Sequence, residues 1–128
     1  MNYVLCIMYH VSCIMNKIVT VEQAARIAED LHGKGKRIVL VGGCFDILHI
    51  GHISFLERAR EAGDLLFVLL EADESIKKIK GEDRPINSQE DRARILAAIG
   101  VVDKVILLSS NLENRDYDRL IMQLKPAI

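Results

Sequence analysis

Between Gly43 and His52 the chain reads G-C-F-D-I-L-H-I-G-H, a run rich in residues that can hold an anion. Gly43 has no side chain, so the backbone can turn tightly there and a phosphate can approach its amide. His49 and His52 are three apart at the start of an expected helix, so they share a face and can reach the same anion. Gly51 between them keeps that face open. A helix beginning near Gly51 also presents unpaired N–H groups and the positive end of its dipole, a ready phosphate site. Singly, each feature is ordinary, and a lone histidine is more often a satisfied surface or core residue than a catalyst. Together, the six fixed identities of G-x-F-D-x-x-H-x-G-H arise by chance at on the order of one position in 10^8 at ordinary residue usage. The chemistry this run could do is to bind a polyphosphate and stabilise charge that builds on it.

The elements that must position the run are legible around it. Thr20 with Gln23 makes a capping box, and Ala24, Ile27, Ala28 and Leu31 fall on one helical face, with Gly33 as the left-handed stop. Lys34 to Lys36 is a polar turn. Arg37 to Val41 reads as a short buried strand. A helix follows from about Gly51 to Ala62, closed by Gly63, then a second buried strand from Leu65 to Leu70. Asp73 to Pro85 reads as a charged connection. Asn87 with Glu90 makes another capping box, and Arg92 to Ile99 completes that helix before Gly100. Lys104 to Leu108 is a third strand and Asp116 to Leu124 an amphipathic helix. After Lys125-Pro126, Ala127-Ile128 looks like the opening of a further strand. Strands and helices alternating at this spacing imply right-handed crossovers and an α/β, Rossmann-like doubly wound parallel sheet. In such sheets ligands bind at the carboxyl ends of the strands where the chain order reverses, which points to the loop after Val41.

The totals agree. With 128 residues, 50% apolar and 27% charged, the chain has a soluble globular composition. Its net charge of −1 does not favour an extended nucleic-acid partner, whereas a few local cations suffice for a small anion. Cys6, Cys13 and Cys44 show no metal-like pairing, and reduced thiols in a cytoplasmic protein are the simplest reading. No apolar run approaches the ~20 residues of a membrane span. The apolar stretch 1–14 lacks a positive start and makes a poor signal peptide. It reads as an extension before Met15 as the natural start, with an extra edge strand as the alternative.

GGCFDILHIGH resembles the signature of the cytidylyltransferase-like nucleotidyltransferases. Within that superfamily the chain is most similar to the adenylyltransferase domain that activates heptose 1-phosphate. That domain also opens with a helix like residues 20–32 and carries a run resembling Lys77 to Gly81 followed by a similar R-P. The resemblance extends from about Met15 to the end of the chain, so residues 15–128 are expected to form one nucleotidyltransferase domain. It implies transfer of a nucleoside monophosphate from a nucleoside triphosphate to a phosphorylated small molecule, with magnesium accompanying the triphosphate and pyrophosphate released. Nucleic acid and membrane are not implied partners.

The resemblance also implies roles. His49, His52 and Lys80 would be the catalytic cations and donors, and the Cys44-Phe45 backbone would bind phosphates with Gly43 and Gly51. Asp46 would order the turn, Arg92 would bind phosphate at the start of its helix, and Asp73 would stand beside the acceptor. Each of the last three, and Lys80, has a plain structural alternative: a helix-entry residue, an exposed helix arginine, a loop-starting aspartate and a solvated lysine.

Three departures stand against the pattern. The family commonly has Thr or Asn where this chain has Gly42, and Asn, Ser or Thr where it has Glu71. The extra carboxylate is unhelpful near an anionic acceptor unless something neutralises it. In the family, a further Gly-Asp turn and a Ser/Thr-rich segment hold the base, and the chain reaches Ile128 before either. A shortened C-terminus is the expectation, and a homodimer is implied both by the family and by an unfinished sheet edge. Rival acceptors are glycerol 3-phosphate with CTP and FMN with ATP. Gly42 and Glu71 also leave room for a nucleotide-binding module without turnover. His49-Ile50-Gly51-His52 also spells a signature of class I aminoacyl-tRNA synthetases, but those chains are several times longer and carry a lysine-rich signature loop not found here.

Overall fold

The computed structural model describes residues 14–128. The expectations for residues 1–13, including the extension before Met15 and its alternative edge strand, lie outside the described residues. In chain order the elements are β1 (Ile18–Val19), α1 (Val21–Gly33), β2 (Ile38–Gly43), α2 (Ile50–Glu61), β3 (Leu65–Leu70), α3 (Asp73–Lys80), α4 (Gln89–Ala97), β4 (Lys104–Leu107) and α5 (Asn114–Leu124). The four strands form one sheet in the order β1-β4-β3-β2, and every pairing is parallel. This is the expected α/β, Rossmann-like arrangement.

Side chains alternate across each strand, and because the sheet is covered on both faces each parity builds its own core. On one face Val39, Leu66, Val68, Leu70 and Val105 pack with Leu56 of α2 and Ala93, Leu96 and Ala97 of α4. On the other, Ile38, Phe67, Leu69 and Ile106 pack with Ala24 and Ala28 of α1 and Leu120 and Leu124 of α5.

The edge of β2 away from β3 is occupied by the last residues. The Ala127 amide donates to the Ile38 carbonyl (2.8 Å), and the Leu40 amide donates to the Ile128 carbonyl (3.0 Å). The expected opening of another strand is therefore hydrogen-bonded in place. It also puts the reversal of chain order at β2, since β3 and β4 step away on one side and Ala127-Ile128 returns on the other.

The differences from the sequence reading are local and physical. The two residues of β1 are too few to show a period. Asp73–Lys80 is helical rather than a bare connection, a short element of eight residues with a single fully buried anchor, Ile76. Asp73 and Glu74 in its first turn and Lys77, Lys78 and Lys80 in its last complement the helix dipole. The left-handed residue after α1 is Gly35 (φ +73°), whereas Gly33 is still helical. The cap of α4 is Ser88, whose hydroxyl accepts from the Asp91 amide (3.2 Å), and not Asn87. Asn87 is committed elsewhere.

Candidate active site

The loop from Gly43 to His49 leaves the carboxyl end of β2 at the point where the chain order reverses, which is where open parallel sheets bind ligands. Its turn depends on Phe45, which adopts a left-handed backbone (φ +47°) that costs a non-glycine residue about 1–3 kcal/mol. Burial of its ring, 7% exposed, offsets this by about 1.5–3 kcal/mol. The ring lies over Gly43, where an added Cβ would come within 3.0 Å of it. A side chain there would fit only if the ring shifted by a few tenths of an ångström.

Asp46 holds the loop from below. Its carboxylate accepts from the Arg84 Nε–H (2.8 Å), the Ile86 amide (2.8 Å) and the Asn87 amide (2.9 Å). Asn87 Nδ2 in turn donates to the Asp46 carbonyl (2.8 Å). Burial pushes the Asp46 pKa up, but the two amides and the Arg84 guanidinium together outweigh it, and the group stays below its ordinary value. The expected role of Asp46 in ordering the turn corresponds to these contacts.

Arg92 is fully buried on α4, not exposed. Its guanidinium donates to the Asn87 carbonyl (3.0 Å), the Cys44 carbonyl (2.7 Å) and Asp73 Oδ1 (2.6 Å). All three nitrogens are thus engaged by protein, and in this geometry the side chain has no surface to offer the phosphate that the sequence reading assigned to it. It ties the turn, the start of α3 and the start of α4 into one unit. Gln89 adds a bridge across the sheet end, its Nε2 donating to the carbonyls of Leu70 (3.0 Å) and Leu108 (2.9 Å).

The His49 and His52 rings meet at a tilt of 41° with centroids 4.0 Å apart. His49 is the N-cap of α2, its Nδ1 accepting from the Gly51 amide (3.0 Å), while His52 Nδ1 accepts from the His49 amide (3.2 Å). An amide can only donate, so each Nδ1 is unprotonated and each neutral ring carries its proton on Nε2. Two Nε2–H donors are thereby presented side by side at a helix start. Burial lowers the His52 pKa first, and the positive charge of Lys80 lowers it further, which favours this neutral form. At Gly51 a Cβ would lie 2.7 Å from His49 Cε1 and 2.9 Å from its Nδ1, so glycine is required for the ring to sit where it does.

The structure thus gathers Gly43, Cys44, Phe45, Asp46, His49, Gly51 and His52 on one loop and helix start, with Arg92 and Asp73 tied to it from α4 and α3, while Lys80 lies at the far end of α3 with no hydrogen bond to them. The sequence reading missed Arg84, Asn87 and Gln89. The only signal among them was the R-P after Gly81, and Asn87 was assigned to a helix cap.

A sequence profile of the cytidylyltransferase-like family matches residues 40–126. The chain belongs to that family. Among curated relatives, a protein named bifunctional protein HldE from Aliarcobacter butzleri is 48% identical over 119 residues, covering 93% of this chain and 24% of that protein. Its namesake from Nitratiruptor is 49% identical over 107 residues, covering 84% of this chain and 22% of its own length. The chain therefore spans about a quarter of these relatives. Among solved structures, a lipopolysaccharide core biosynthesis protein from Thermoplasma volcanium superposes with a TM-score of 0.59 at 32% identity, over 71% of this chain and 70% of that one. A pantoate–β-alanine ligase from Francisella tularensis superposes with a TM-score of 0.58 at 20% identity, over 85% of this chain and 53% of that one, and shares the fold.

Among the described residues no group of three or more His, Cys, Asp or Glu side chains is arranged to hold a metal, and no helix is long and apolar enough to cross a membrane.

Proposed function

We propose that this domain transfers AMP from ATP to a sugar phosphate of the heptose 1-phosphate kind and releases pyrophosphate. The observation that carries the reading is the pair of Nε2–H donors of His49 and His52, locked by backbone bonds at the start of α2 where the chain order reverses. A phosphate oxygen of the acceptor is already anionic near neutral pH, so no general base or protein nucleophile is needed. It forms a bond to the α-phosphorus as the bond from that phosphorus to the bridging oxygen breaks, and pyrophosphate departs with the electron pair. Charge builds on the α-phosphate and the leaving group, and the two histidines and Lys80 are placed to stabilise it. The amides around Gly43 to Phe45 bind further phosphate oxygens, and Asp46 and Arg92 act as positioning residues that hold those amides still. Asp73, with Oδ1 bound to Arg92, keeps a second oxygen for the acceptor.

Magnesium fits this site as a passenger of the triphosphate, since it commonly binds through substrate phosphates and one or two carboxylates rather than a protein cage. When bound it would neutralise triphosphate charge. The same reading places the domain in the cytoplasm, as a homodimer. The choice of a sugar phosphate is supported by identity to the HldE proteins and by the similar protein of lipopolysaccharide core biosynthesis, because glycan assembly consumes activated sugars.

The buried commitment of Arg92 favours one second reading, a module that binds nucleotide without turning it over. Pyrophosphate release separates the two. With magnesium, ATP and CTP are each paired with heptose 1-phosphate, glycerol 3-phosphate and FMN. Release only with ATP and the sugar phosphate is expected. Release with another pair would replace the acceptor or base, and nucleotide binding by calorimetry without release would leave the binding module.

A further inference from the structure

The two positions at which this chain departs from the pattern of its family, Gly42 and Glu71, lie on the same face of the sheet. Leu40 and Leu69, two residues before each, both belong to the α1/α5 side of the core, and side chains alternate. Gly42 is in register with Leu69 on the neighbouring strand, and the Glu71 amide donates to the Gly43 carbonyl (3.1 Å). A Cβ at Gly42 would meet only Leu69, at 3.6 Å from its Cβ, so the missing side chain is an open notch and not a steric necessity. Beside it, both oxygens of the Glu71 carboxylate accept from the Tyr117 hydroxyl of α5 (2.9 and 3.1 Å). Burial first, then the Glu71 hydrogen bond and charge, push the Tyr117 pKa up to about 12, so the phenol remains a donor at any working pH. One phenol proton satisfies only part of a carboxylate, which has roughly four acceptor sites. Among the described residues no cation pairs with Glu71.

We propose that Glu71, oriented by Tyr117 and facing the notch at Gly42, reads hydroxyl groups on the sugar portion of the acceptor and rejects acceptors that carry a second anion there. The inference rests on the transfer reading of the same site. With the triphosphate at the reversal of chain order by β2, an acceptor seated over the adjoining end of β3 would lie beside Glu71. A carboxylate there accepts from hydroxyls with charge assistance, and repels another carboxylate or phosphate.

The test is a matched pair of acceptors, an aldose 1-phosphate and the corresponding uronic acid 1-phosphate, with Glu71→Gln, Tyr117→Phe and Gly42→Thr. The wild type should favour the neutral sugar. Glu71→Gln should raise its KM about tenfold, the effect of one charge-assisted hydrogen bond, and should erode the discrimination against the uronate. The KM for ATP should stay within about twofold, since uniform loss would mean general damage. Tyr117→Phe should move the acceptor KM in the same direction by less, and Gly42→Thr should raise it by filling the notch. An unchanged acceptor KM and preference in Glu71→Gln, or an equal rise in the KM for ATP, would overturn the assignment while the transfer reading stood. If the wild type releases no pyrophosphate with any acceptor, the transfer reading falls. Calorimetric titration of wild type and Glu71→Gln with the same two sugar phosphates then decides Glu71 alone. Weaker sugar binding in the variant supports it, and equal affinities or no binding overturn it.

Discussion

The Gly43–His49 turn and the Glu71 corner sit at the same end of the sheet and are built in opposite ways. In the turn, Asp46 makes three side-chain contacts, Arg92 makes three, and both histidine Nδ1 atoms are held by backbone amides. At the corner, one phenol holds one carboxylate beside an empty glycine position. Donors to a transition state act best when their orientation is settled beforehand. Recognition of an acceptor tolerates looser parts, because a hydroxyl pattern is read by one or two groups. On the proposed function, the chemistry is rigid and the specificity adjustable.

The sharpest way to break the contrast is Asp46→Ala. It leaves Arg84 and two amides without their buried partner, and should cost about 3 kcal/mol of stability, within the range for a broken buried pair. Turnover should fall more than the lost fraction of folded protein explains. Thermal denaturation alongside pyrophosphate release measures both, and a normal melting temperature with normal turnover would show that the turn does not need its anchor.

His52→Ala should come next, lowering turnover by at least about tenfold with the fold intact, because it removes a donor to the transition state. Unchanged turnover would take His52 out of the mechanism. Gly51→Ala should cost nearly as much without removing a donor, since its Cβ would push the His49 ring out of place, whereas Gly42→Ala has room and should leave stability within about 0.5 kcal/mol.

The pH dependence is a milder probe. Since the folded pKa of His52 is lowered, its neutral form is favoured by folding. Its contribution to stability is full above about pH 6.5 and is lost as pH falls from there through the folded value. Protonation would also put a hydrogen on Nδ1 and expel the His49 amide. Turnover should decline on the acid side in the same window, and a profile that stays flat there would contradict the neutral-donor assignment. Smallest is Lys80→Ala, a few-fold loss expressed mainly in KM, with the acid limb moved to higher pH because a positive neighbour is gone. Lys77→Ala, whose ammonium is already paired with Glu74 (3.2 Å), should change little.

How much was readable in advance follows from range. Helix α1 and its Thr20–Gln23 box, the cores of β2 and β3, and the run from Gly43 to His52 are contiguous, and their periods or spacings are complete within a dozen residues. The cap of α4 was misplaced by one residue because Asn87 and Ser88 are both good caps, and only the engagement of Asn87 by Asp46, 41 residues away, frees Ser88 for the role. The sequence reads Arg92 as a phosphate-binding arginine, with an exposed helix residue as the alternative, because no strong amphipathic stripe marks it as buried and its partners lie up to 48 residues distant.

By itself the sequence determined the strand–helix alternation, the parallel sheet it forces, and the local turn at which two histidines share a helix start. Those depend on backbone geometry and on spacing between near neighbours. Only the tertiary structure decided that Arg84, Asn87 and Arg92 brace that turn, that both histidines donate through Nε2, and that Glu71 meets Tyr117, 46 residues away. Such pairings are settled by how the layers pack across the sheet end, and no residue period encodes them.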